Sequence, residues 1–205
     1  MKFYNREKEL AKLERIAREG EDRIHMVVSS GRRRVGKTKL IRHFATDKSN
    51  FVYLFVSKKK SNLLLEEFRE LLAEHIPLLK SVAIDSFDAF FSVLFTAMAE
   101  SPLYVVIDEF QNFKHVDDSV FSIIQKHWDL SSMYAKGAII CIGSVQTLMR
   151  DIFEAQKEPL FGRVTERIPV RPLTADVIAQ ILNDNDANIH RSEERRVGKE
   201  WRAGW

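Results

Sequence analysis

The chain of 205 residues has a single cysteine, Cys141, so no disulfide can close within it. Such sparing use of cysteine suits a reducing compartment, and a cytoplasmic protein is expected. The six histidines show no metal-ligand spacing. H-E-x-x-H, paired C-x-x-C and G-x-S-x-G are all missing, which removes the zinc-site and serine-elbow chemistries those patterns serve. Excess charge is slight: 32 lysines and arginines against 29 aspartates and glutamates leave +3. Bulk charge of that size does not argue for nucleic acid, which needs a concentrated basic face. The longest strongly apolar run, FDAFFSVLFTAMA (87–99), contains Asp88 and is too short to span a bilayer. It reads as a buried helix, and no membrane partner is expected. The opening MKFYNREKEL is charged and lacks the apolar core of a secretory signal.

What is there is an ordinary globular composition, 45% hydrophobic and 30% charged, enough for one domain with a full core. Helical spacing runs through 5–19, 38–45, 62–76, 87–100, 118–130 and 145–156, and a further helix begins at 174, capped by Thr174. Between them lie β-rich runs at 23–30, 51–57, 103–110, 137–144 and 164–173, the last nearer an edge because it holds Pro169. Continuous hydrophobicity in LYVVIDEF suits a strand buried on both faces. Strands alternating with helices predict a parallel α/β sheet with right-handed crossovers, its ligand site beyond the carboxyl ends of the strands.

Three polar signals fall at those ends. GRRRVGKT satisfies G-x-x-x-x-G-K-[ST] with Gly31, Gly36, Lys37 and Thr38, after a strand and before a helix. The two glycines are expected to let the backbone curl around phosphate with φ > 0. The amides of Gly31, Arg32, Arg33, Arg34, Val35, Gly36 and the helix start at Lys37, Thr38 and Lys39 would form an anion nest. Lys37 is expected to reach the β- and γ-phosphates, and the Thr38 hydroxyl to ligate Mg²⁺. Asp108 is the expected second, water-mediated Mg²⁺ partner, and Glu109 after it would polarise an attacking water. That pair favours hydrolysis over transfer or simple binding, since the glutamate has a role only if water attacks. Ser144, helped by Gln146, reads either as a hydrogen bond to the γ-phosphate or water, or as a cap for the helix over 145–156. Arg163 in PLFGRV reads either as a phosphate-sensing or finger arginine or as an ordinary loop residue. Without N-K-x-D to read guanine, ATP is preferred over GTP.

FYNREKELAKLERI, VVSSGRRRVGKTKLIRHF, VVIDEFQNF, IICIGSVQTLM and PLFGRV, in this order over about residues 3–182, together resemble the archaeal-type ATPases. These are a branch of the STAND and AAA-like P-loop NTPases related to replication-initiator ATPases. The resemblance implies a three-layer P-loop NTPase, a parallel five-stranded sheet in the order 5-1-4-3-2 flanked by helices, with ATP and Mg²⁺ bound. It places Phe3, Asn5 and Arg6 near adenine and matches Arg163 to the family's Gly-Arg position. It also implies an ATP-driven conformational switch, with DNA and other subunits as partners; a nucleotide-binding signalling module with negligible hydrolysis is the competing reading. Residues 1–173 would form the core and 174–190 the start of a helical lid that the family usually continues.

Arg-Arg-Val-Gly-Lys recurs at Arg195–Lys199, but Glu193 replaces Gly31 and Glu200 replaces Thr38. An anion where the hydroxyl must bind metal rules against a second nucleotide site. Residues 191–205 read as a disordered tail, non-native, left by a read-through, frameshift or cloning scar at a truncation.

Overall fold

Five apolar strands pair side by side in this computed structural model, which describes residues 4–46 and 48–184. They are β1 (Ile24–Ser30), β2 (Phe51–Phe55), β3 (Leu103–Asp108), β4 (Gly137–Gly143) and β5 (Glu166–Pro169), all parallel, in the order β2-β3-β4-β1-β5. Read from the other edge this is the order 5-1-4-3-2. Every residue of β3 and β4 is buried, because both strands are covered on both faces. β5 is an edge strand and shorter than the 164–173 run suggested. Its ladder ends at Pro169, which has no N–H to give, although Thr165 and Val170 each add one backbone bond to β1.

The chain divides into two compact units, Lys8–Arg171 and Met1–Glu7 with Pro172–Trp205. The first holds the sheet and the helices α1 (Glu7–Glu19), α2 (Lys37–Ala45), α3 (Ser61–Leu72), α4 (Phe87–Glu100), α5 (Phe113–Val116), α6 (Val120–Ser131) and α7 (Gln146–Glu154). The second holds α8 (Ala175–Asp184) among its described residues. Residues 185–205, including the repeated basic segment and the expected tail, lie outside the described residues, as does Phe3.

Alternating strand residues sort the layers. Met26, Val28, Val52, Leu54, Val105, Ile107, Ile139 and Cys141 share one core with α3, α4, α6 and α7. The other face meets α1 and α2: the Tyr104 hydroxyl donates to the Ala17 carbonyl at 2.6 Å, and Phe51 packs edge-on against Phe44. Helix α4 is buried on several sides through Phe87, Phe90, Phe91, Leu94, Phe95 and Met98. Its start is capped by Ser86, whose hydroxyl accepts from the Ala89 amide at 3.2 Å.

Candidate nucleotide and metal site

The loop after β1 is shaped by two left-handed residues, Arg34 at φ 64° and Gly36 at φ 94°. Gly36 takes this conformation at no steric cost, whereas Arg34 holds it at about 1–2 kcal/mol. Gly31 also has positive φ, 159°, and packing adds a second reason for glycine there. A Cβ there would lie 2.3 Å from the Val170 carbonyl oxygen, so close packing against the chain beyond β5 excludes any side chain. Lys37 is buried, and its ammonium donates to the Gly31 and Arg32 carbonyls at 2.8 and 2.9 Å. Burial pushes its pKa down, opposed by the charges of Asp108 and Glu109. The loop's curvature is thereby pinned by the same cation that its motif assigns to phosphate.

Asp108 ends β3 almost fully buried. Its Oδ2 accepts from the Thr38 hydroxyl at 2.7 Å and from the Tyr53 hydroxyl at 2.5 Å, and its Oδ1 accepts from the Glu109 amide at 2.7 Å. A hydroxyl and a carboxylate in direct contact form an oxygen donor pair suited to a hard divalent cation. Among the described residues no cluster of three or more His, Cys, Asp or Glu could hold a metal by itself. That donor set fits magnesium, which takes one or two protein oxygens and completes its shell with phosphates and water.

The expected strand over 103–110 stops at Asp108. Glu109 turns into the left-handed region, φ 54° and ψ 39°, and Phe110–Asn112 forms a tight 3-10 turn. The turn aims the Glu109 carboxylate at the end of β4. There Ser144 donates to Oε2 at 2.9 Å, and the Gln111 side-chain amide donates to the same oxygen, leaving Oε1 without a donor among the described residues. Ser144 is thus not a helix cap: Val145 occupies that position and α7 has no side-chain cap bond. Gln146 points elsewhere, into a groove lined by Ser30, Met149 and Arg167.

Lys37, Thr38, Asp108, Glu109 and Ser144 therefore converge. Arg163 does not join them. It lies before β5, at the amino-terminal edge of the sheet, where Asp129 grips its guanidinium through both carboxylate oxygens at 2.8 and 2.6 Å. The Pro159 and Phe161 carbonyls accept from it as well. Asn5 and Arg6 belong to the other unit. Two residues carry no signal in the linear sequence. Tyr53 is one aromatic among several of β2, its phenol pKa raised by burial and by the bond to Asp108. Gln111 is 2% exposed, with an Oε1 that has no hydrogen-bond partner.

The model of an ATPase domain predominantly from Archaea matches residues 3–203. The chain belongs to this family of ATPase domains. It is 28% identical over 171 residues to an uncharacterised protein of Methanocaldococcus jannaschii, covering 83% of this chain and 36% of that protein. Its fold is similar to the Walker-type ATPase of Pyrococcus abyssi, with TM-score 0.69, 19% identity and coverage of 92% of this chain and 59% of that one. It is also similar to the Aeropyrum pernix ORC1 protein in complex with DNA, with TM-score 0.61, 14% identity and coverage of 91% and 50%. The ORC2 protein of the same organism, in its ADPNP–ADP complexes, has TM-score 0.61, 16% identity and coverage of 89% and 51%. The chain thus spans about a third of the M. jannaschii relative and half to three-fifths of these solved chains. Among the described residues no helix is long and apolar enough to cross a membrane.

Proposed function

We propose that this chain binds ATP with Mg²⁺ and hydrolyses it, the cycle switching the protein's conformation. The observation that carries the reading is the carboxylate of Glu109. A strained backbone turns it beside the Thr38–Asp108 pair, two donors fix one of its oxygens, and the other is left to take a proton from water. When bound, the metal would supply charge neutralisation at the β- and γ-phosphates. Thr38 and Asp108 would hold it, the loop amides and Lys37 would cradle the phosphates, and Glu109 would orient the water. Ser144, which bonds Glu109, would sense the γ-phosphate.

A role for Arg163 in this chemistry would have to be played on another copy. A strand the length of β1 spans about 20 Å, beyond the reach of an arginine across the sheet. ADP as product, assembly with further subunits, a cytoplasmic setting and a DNA-associated role belong to the same proposal. The last is supported by the similarity to a fold solved on DNA.

The test is Mg²⁺-dependent phosphate release. Wild-type protein is expected to release phosphate slowly, and Lys37→Ala and Glu109→Gln to abolish release, with Glu109→Gln still binding ATP. Equal release by all three would refute hydrolysis at this site. Nucleotide binding without release would favour the signalling-module reading.

A further inference from the structure

Residues 31–60 hold ten of the chain's lysines and arginines and a single carboxylate, Asp47, while the remaining sequence holds 22 against 28. A nearly neutral protein therefore carries a concentrated basic segment, and nucleotide binding absorbs little of it. Lys37, the cation assigned to phosphate, is buried, whereas Arg32, Arg33, Arg34, Lys39, Lys58 and Lys60 are exposed. None of these six has an ion pair among the described residues. Within the segment Lys48 and Lys59 are matched to Glu14 and Glu67, as Lys12, Arg15, Arg69, Lys126 and Arg167 elsewhere are matched to carboxylates.

The fold carries this segment across the sheet, from the loop after β1 through α2 to β2 at one margin. β2 is an edge strand, paired only with β3. Phe51, Tyr53 and Phe55 share the face that α2 covers. Phe51 is packed on Phe44, and Tyr53 lies under the Arg42 guanidinium at 4.8 Å. Phe55, at the carboxyl end of β2 opposite Asp108, stays 43% exposed. Arg42 on α2 flanks the aromatic row, and Lys58 and Lys60 follow it closely in the chain. Unpaired cations near an exposed ring on a sheet margin offer phosphates their counter-charges and a base its stacking partner.

We propose that this margin binds a single-stranded nucleic acid, with phosphates on Arg42, Lys58 and Lys60 and a base stacked on Phe55. The inference deepens the DNA-associated reading above and is independent of hydrolysis. The probe is a labelled single-stranded DNA of about 20 nucleotides, titrated by fluorescence anisotropy from about 50 to 200 mM salt. Wild-type affinity is expected to fall linearly with log salt. Lys58→Ala/Lys60→Ala should make that slope shallower by about 1.4, because each phosphate that a lysine neutralises on a single strand contributes about 0.7. Phe55→Ala should weaken single-strand binding about tenfold and duplex binding far less. ATP-induced thermal stabilisation, measured beside it, should be the same in wild type and both variants, because neither substitution touches the phosphate loop. An unchanged slope in the lysine variant, or no effect of Phe55→Ala, would overturn the proposal. So would equally tight binding to phosphatidylserine vesicles at the same salt. Oligonucleotide binding that behaves as expected in a protein that ATP fails to stabilise would sustain this inference and sink the ATP reading.

Discussion

Asp108 Oδ2 accepts two hydroxyl protons at once, from Thr38 and from Tyr53. A cation bound through a lone pair of the Thr38 oxygen leaves its O–H to donate to Asp108, and Tyr53 adds the second donor that holds the carboxylate in place. Tyr53→Phe keeps the ring under Arg42 and deletes only the hydroxyl. It should raise the Mg²⁺ concentration needed for half of the ATP-induced thermal shift about tenfold, since a hydrogen bond to a charged group contributes about 1.5–3 kcal/mol. An unchanged Mg²⁺ midpoint would show that Asp108 is positioned without it. Gln111 plays the corresponding part for Glu109. Gln111→Leu preserves bulk but removes the donor, and kcat should fall about tenfold with the KM for ATP nearly unchanged, the pattern of a group that matters in the transition state. A change confined to KM would assign Gln111 to nucleotide binding instead.

Two short elements carry the geometry, and both are strained or tightly fitted. The turn at Asp108–Asn112 places Glu109 in a conformation costing about 1–2 kcal/mol, so its surroundings must over-determine it. The Glu109 carbonyl accepts from the Asn112 amide at 2.8 Å, and the Asn112 side chain donates to the Val56 carbonyl at 2.8 Å. Phe110 is fully buried against Phe113, Phe121 and Phe153, with ring centroids 5.6, 5.7 and 5.3 Å away. Phe110→Ala should cost about 3–5 kcal/mol in urea unfolding. Because the strained turn would lose its anchor, any protein that remains folded should hydrolyse ATP more slowly. In the phosphate loop, Gly31→Ala sets a methyl against the Val170 carbonyl. A loss of about 1–3 kcal/mol is expected from overpacking, together with loss of stabilisation by ATP. Wild-type stability and a normal ATP response in that variant would show that the loop yields there.

For the molecule as a whole, ligand binding and pH give the readable signals. Mg·ATP at ~100 Kd should add about 2.7 kcal/mol, which is several degrees of Tm at about 2–4 °C per kcal/mol. Lys37→Ala should abolish that shift. His25, the second residue of β1, is 2% exposed, and burial lowers its pKa from the ordinary histidine value, with Arg23 adding to the effect. The unfolded chain therefore takes up this proton first. Stability linked to His25 is complete above about pH 6.5 and declines as pH falls from there through the lowered folded-state value. In denaturant titrations between about pH 7 and 5, His25→Gln should have a flatter stability profile than wild type. Parallel profiles would show that His25 is protonated in the folded protein at no cost.

Sequence alone determined the elements and the chemistry that is local along the chain. Period and continuity marked five strands, because a doubly covered strand must be apolar throughout. The spacing of Gly36, Lys37 and Thr38 marked the loop, because a curled backbone leading into a helix start is itself a local structure. Asp108 and Glu109 were legible as acids ending such a strand. Contacts between segments distant in the chain were decided only by the tertiary structure. Tyr53 reaches Asp108 because β2 pairs with β3, Gly31 is fixed by Val170 beyond β5, and Ser144 turns from a helix cap to a partner of Glu109 because β4 lies beside β3. Arg163, read as either a phosphate-sensing arginine or an ordinary loop residue, stands at the opposite edge of the sheet. A parallel strand holds the segments at its two ends apart by its own length, and local spacing carries no record of that distance.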